Sequence, residues 1–115
     1  LRAVAFLKDA APNTANPSLW RNAQLTGRHG LFKVMEGIWQ VRGFDLSNLT
    51  VVRGRSGWIV IDPLTTAEAA RAAMALVTKH LGARPVSAVI YTHSHVDHFG
   101  GVRGVVDEAD VKAGK

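Results

Sequence analysis

From Leu31 onward the chain is built of short apolar runs, Leu31 to Met35, Ile38 to Arg42, Leu49 to Arg53 and Trp58 to Ile61. They are separated by Glu36-Gly37, Gly43, Ser47-Asn48 and Gly54 to Gly57. β-branched and aromatic residues in the runs, with turn formers between them, predict an antiparallel meander of hairpins. Asp62-Pro63 closes the last run, and the period then changes. Ala70, Met74, Val77 and Leu81 fall on one stripe of a helix predicted over Ala67 to Leu81, ending at Gly82. Thr65-Thr66-Ala67-Glu68 reads as its capping box, with the Thr65 hydroxyl serving the first-turn amides and Glu68 reaching back. After Pro85 a short strand is predicted over Ser87 to Tyr91. Gly100-Gly101 then separates the following loop from a short helical stretch near Val102 to Ala109. Strand, helix, strand implies a crossover connection and an α/β sheet layered with helices.

Residues 1 to 30 show little periodicity and carry Pro12, Asn13, Asn16, Pro17, Gly27 and Gly30. They read as an arm with at most one helix, around Ser18 to Leu25, capped by Ser18. Leu1 to Leu7 lacks the charged n-region and cleavage site of a secretion signal, so a structured or frayed segment is expected. Trp20, Trp39 and Trp58 are expected in the core or on a sheet face.

The chain has 115 residues, 47% of them apolar, which suits one small domain or part of one and excludes a disordered class. No apolar run approaches the about 20 residues of a membrane helix, so a soluble protein is expected. The absence of cysteine removes disulfides and thiolate metal sites and leaves the compartment open, cytosol, periplasm or secretion alike. A net charge of +5 and a pI near 10.3 favour anionic partners. The basic residues are scattered, however, and no basic tract interleaved with aromatics appears, so no nucleic-acid partner is expected.

The candidate chemistry lies in Tyr91-Thr92-His93-Ser94-His95-Val96-Asp97-His98-Phe99-Gly100, an H-x-H-x-D-H pattern leaving the end of a predicted strand. Such a concentration of imidazole and carboxylate has no ordinary packing rationale. His29 and His80, by contrast, stand alone and read as packed or surface residues. Residues two apart on an extended segment share a side, so His93 and His95 can grip one metal ion while Asp97 and His98, around the bend, face a second. Nitrogen and oxygen donors suit Zn²⁺ first, with Mn²⁺ or Fe²⁺ compatible. Two ions about 3.5–4 Å apart would activate a shared water for hydrolysis without a side-chain nucleophile. Gly100 and Gly101 either bring the next helix's amino terminus near the site or simply make the turn.

Asp62 has two readings of equal weight: a carboxylate that accepts from a ligand histidine or the motif backbone, or a residue that closes the turn with Pro63. Four ligands do not complete two metal sites, and no histidine follows His98. Asp107, Glu108 and Asp110 read as a solvated face. With leucine first and Lys115 shortly after the motif, the chain is expected to be the front part of a larger enzyme.

Tyr91 to Gly101 resembles the signature of the metallo-β-lactamase superfamily, whose fold is an αββα sandwich with a dinuclear metal site at the sheet edges. With Leu19 to Leu25, His29 to Val34, Ile38 to Gly43 and Gly57 to Thr66, the text from residue 19 to 106 is similar to that of the alkyl sulfatases that hydrolyse long-chain alkyl sulfates. The resemblance implies that residues 31–115 form the amino-terminal half of that sandwich. It implies two zinc ions, His93 and His95 on one, Asp97 and His98 on the other, with hydroxide between them and Asp97 helping to place the attacking water. It also implies an alkyl sulfate, a small molecule, as substrate, and a homodimer for the full-length protein. The remaining ligands and the sulfate-binding residues would follow Lys115. Other hydrolases of the superfamily (lactonase, thioesterase, β-lactamase) and an inactive metal-binding fragment remain alternatives.

Overall fold

Four of the short apolar runs pair with their sequence neighbours. The computed structural model describes residues 2–115, with side-chain environments from Ala5 onward, so Leu1 of the expected amino-terminal segment lies outside the described residues. Strands β1 (Gly30–Met35), β2 (Ile38–Arg42), β3 (Leu49–Arg53) and β4 (Trp58–Ile61) form the antiparallel meander. Helix α2 (Ala67–Leu81) then crosses over, and β5 (Val86–Ile90) joins β4 in parallel, giving the sheet order β1-β2-β3-β4-β5. The fold is mixed α/β, as the change of period predicts.

Alternation along the strands decides where the core forms. Trp39 and Val41 of β2, Leu49 and Val51 of β3, and Trp58 and Val60 of β4 are buried, and the pairs Trp39↔Val51 and Val51↔Val60 align them across the sheet. Against this face α2 buries Ala73 and Val77, while Met74 and Leu81 of the predicted stripe flank the core half-buried; Ala70, also buried, lies by Gly101. The Trp39 and Trp58 rings meet edge to face, centroids 5.8 Å apart.

Several local expectations are corrected. Asn16, not Ser18, caps α1 (Pro17–Thr26). Its side chain accepts from the Ser18 and Leu19 amides, and Pro17 occupies the first turn, where a missing N–H costs nothing. Thr66, not Thr65, caps α2 by accepting from the Ala69 amide at 3.2 Å, because Asp45 holds both the amide and the hydroxyl of Thr65. Trp20 lies in neither the core nor the sheet. It packs edge to face on Phe6, and its indole N–H reaches the Asp9 carbonyl in the amino-terminal arm. The final strand runs one residue earlier than predicted. In place of one helix near Val102 to Ala109 there is a single 3-10 turn, Val102–Gly104, and a separate helix α3 (Glu108–Lys112) capped by Asp107. Asp107, Glu108 and Asp110 are exposed, as expected of a solvated face.

Candidate metal centre

The H-x-H-x-D-H segment leaves the carboxyl end of β5, the place where open α/β sheets usually build their sites. After Tyr91 the chain bends at Thr92, His93 and Ser94 rather than running extended as the sequence reading assumed, and through His95, whose own backbone is extended, it enters a 3-10 turn, Val96–His98. His93 and His95 are exposed, and Asp97 and His98 are half-buried. The His93 ring lies 4.7 Å from His95 and 4.0 Å from His98, centroid to centroid, while His98 Nε2 is 3.2 Å from Asp97 Oδ2.

The turn is held from three directions. Its glycines seat it on the β4–α2 connection, where the Gly101 amide donates to the Leu64 carbonyl at 2.8 Å. A Cβ on Gly100 would fall 2.2 Å from the Thr65 carbonyl oxygen, and one on Gly101 would fall 2.1 Å from that of Pro63. These glycines therefore serve a close backbone approach, and the single 3-10 turn after them offers no helix dipole to the site. From the β2–β3 loop the buried Ser47 hydroxyl donates to the Asp97 carbonyl, a contact across 50 residues that run-and-turn reading missed. Ser47 looked like ordinary turn punctuation, and nothing local in the sequence distinguishes it.

The third support is Asp62, at the end of β4. Its backbone takes φ 55°, a left-handed conformation that Asp tolerates better than most residues. One carboxylate oxygen accepts the Thr92 amide at 2.8 Å; the other lies 2.8 Å from the Thr92 hydroxyl and 2.9 Å from His98 Nδ1. Of its two sequence readings, the buried carboxylate is thus in contact with both the motif backbone and a motif histidine. Burial pushes the Asp62 carboxyl upward, but the Thr92 amide, His98 and the Thr92 hydroxyl outweigh it and hold the group below its ordinary value. The hydrogen bond to Asp62 raises His98 above the usual imidazole value against the opposing effect of desolvation, with Asp97 adding to the rise. Thr92, passed over in the sequence, contacts Asp62 and, 2.9 Å away, His93 Nδ1.

The donor set fits a divalent cation in its chemistry: three imidazoles and a carboxylate on one turn, braced from behind by a buried acid. Among the described residues no three His, Asp or Glu side chains are placed so that together they could hold one metal ion.

Residues 42–115 match the family model described as the metallo-beta-lactamase superfamily, a match that takes in β3, β4, the crossover and the histidine turn. The chain belongs to the metallo-β-lactamase superfamily. Among its relatives in that superfamily, a linear primary-alkylsulfatase of Pseudomonas sp. is 62% identical over 112 residues, 96% of this chain. An alkyl/aryl-sulfatase of Saccharomyces cerevisiae is 51% identical over 116 residues. A solved stereoselective inverting sec-alkylsulfatase from Pseudomonas sp. superposes with a TM-score of 0.91 at 57% identity, over 98% of this chain. The chain spans only 17–18% of the length of these relatives. Among the described residues no helix is long and apolar enough to cross a membrane.

Proposed function

We propose that this chain carries half of a zinc site for hydrolysing alkyl sulfate esters to an alcohol and sulfate. The observation that carries the reading is the coincidence of the braced histidine turn at the end of β5 with alkylsulfatase relatives 51–62% identical along the same residues. Residues 31–115 are its part of the catalytic domain, and residues 1–30 an arm beside it. His93 and His95 bind one zinc ion, and Asp97 and His98 a second. Each zinc requires about three protein ligands, so the other donors, and the groups that hold the sulfate, come from sequence outside these residues.

When bound, zinc supplies Lewis acidity and lowers the pKa of water. The chain's own residues do the positioning. Ser47 and the Gly100-Gly101 seat fix the backbone at Asp97, so that its carboxylate can orient the attacking water by accepting one of its protons in a hydrogen bond. Asp62 holds His98 from the Nδ1 side, which directs Nε2 outward. The full-length protein is a homodimer in this reading, to be checked by light scattering.

The test is sulfate release from dodecyl sulfate by the full-length protein, followed by ion chromatography before and after chelation. Sulfate is expected in proportion to zinc content. Turnover of lactones or thioesters with no sulfate from dodecyl sulfate would reassign the substrate within the superfamily.

A further inference from the structure

The net charge of +5 is spread thinly along the sequence, and the fold gathers part of it. A 3-10 helix over Arg2–Lys8 lies beside α1, and with β1 the two enclose an open cleft of about 610 Å³, within the roughly 300–1,000 Å³ range of small-molecule sites. Its walls are tied together before any ligand arrives. Arg21 and Gln24 stand three residues apart on α1 and share a face. The Gln24 amide donates to the Leu7 carbonyl at 2.8 Å and the Trp20 indole to the Asp9 carbonyl at 3.1 Å, which fixes the arm on the helix at two points.

Two kinds of side chain line this cleft. Leu7 and Phe32 are apolar and half-buried, whereas Lys8, Arg21 and Arg28 are exposed cations drawn from separate segments. No carboxylate lines it, and none of these three cations forms an ion pair among the described residues. The Arg42 guanidinium, 5.0 Å from the Phe32 ring centroid, adds a further charge at the border. Like charges held together repel, and a cleft of one sign concentrates counter-ions. Guanidinium forks match the oxygens of a sulfate, sulfonate or carboxylate group. An inorganic anion, however, would leave Leu7 and Phe32 against water, so the complementary occupant carries an alkyl tail as well as a charged head.

We propose that the cleft between the amino-terminal arm, α1 and β1 binds a single anionic amphiphile, its head group held by Lys8, Arg21 and Arg28 and its tail laid against Leu7 and Phe32. The class is that of the proposed substrate. Yet the cleft lies at the β1 edge of the sheet and the histidine turn at the end of β5, the other edge strand, so this is a second site and neither reading depends on the other.

Decane-1-sulfonate is the probe, because its carbon–sulfur bond is not an ester and survives a sulfatase. A derivative with a diazirine at the end of its tail is photolysed with the full-length protein, below the micelle concentration and with zinc chelated, and the labelled peptides are mapped. Labelling within residues 5–32 is expected. Decane-1-sulfonate should displace it at least about tenfold better than methanesulfonate, which lacks the tail, or decyl maltoside, which lacks the charge. Arg21→Gln combined with Arg28→Gln keeps most of both stems and should weaken labelling roughly tenfold. Labelling confined to other peptides, or unchanged in the double variant, overturns the proposal. Displacement by methanesulfonate or by decyl maltoside as effective as by decane-1-sulfonate overturns it too, since one half of the ligand would then be irrelevant. Sedimentation with phosphatidylglycerol vesicles but no labelling by the free amphiphile would make the cleft a membrane contact instead. If the double variant fails to fold, Lys8→Gln, at an exposed position, is held to the same readout.

Discussion

Gly101 lies so close to Pro63 that a Cβ on it would stand 2.1 Å from the Pro63 carbonyl oxygen and 2.6 Å from that of Thr66. The backbone there, φ −85° and ψ 3°, is open to alanine, so chain entropy alone would favour Gly101→Ala by about 0.4–1 kcal/mol. Backbone carbonyls cannot swing aside as a side chain can, and the steric cost wins. We expect Gly101→Ala to destabilise by at least about 1–3 kcal/mol in urea and to weaken zinc binding, since the histidine turn must lift off its seat. Gly37 provides the contrast. It has φ 80° and nothing within 4 Å, so Gly37→Asn should be nearly neutral because Asn tolerates that conformation. A Gly101→Ala protein as stable as wild type would remove the close approach as the reason for glycine.

Ser47→Ala removes a single hydroxyl from the Asp97 carbonyl, far in sequence from the motif. The lost hydrogen bond should cost about 1 kcal/mol of stability. The larger effect is expected on zinc affinity, because the freed carbonyl lets the Asp97 backbone rotate. Isothermal titration with zinc against matched denaturation curves separates the two, and equal losses in both would make Ser47 a structural residue only.

Trp58, the first residue of β4, is fully buried, touching Trp39 edge to face and lying under the Arg84 guanidinium at 5.2 Å. Its indole nitrogen has no hydrogen-bond partner among the described residues. Trp58→Ala should therefore cost about 3–5 kcal/mol, whereas Trp58→Phe gives up area but also removes an unpaired N–H, and should cost far less. Guanidinium unfolding of the two variants tests the ordering.

What the sequence made legible follows from the range of each signal. The meander and crossover were readable because alternation in Ile38 to Ile61 and the stripe through Ala70 and Val77 are repeated, local and opposed in period. The histidine turn stood out because its imidazoles and carboxylate are packed into adjacent positions. Thr92 and Ser47 were not, since their importance lies in contacts to Asp62 and Asp97 that appear only once β4, β5 and the β2–β3 loop are assembled. Cap positions slipped for a related reason. Thr65 and Thr66 are equivalent on paper, and the tie is broken by Asp45, 20 residues away, which engages Thr65 first.

The ligand assignment itself is tested by comparing two histidines. His95 is exposed in the turn, its ring 4.7 Å from His93, and no hydrogen bond to its side chain is seen among the described residues. Its removal should therefore cost little folding stability, less than about 0.5 kcal/mol as for an ordinary surface substitution. In the proposed site it is one of two donors to the first zinc, so His95→Ala in the full-length protein should lose bound zinc and sulfate release together. His29 is also exposed but sits by Gly43 at the far edge of the sheet, next to β1. His29→Ala should leave zinc content and activity nearly intact. Elemental analysis of the purified proteins decides between them: unchanged zinc in His95→Ala would refute its role as a ligand, since no stability effect could mask retained metal.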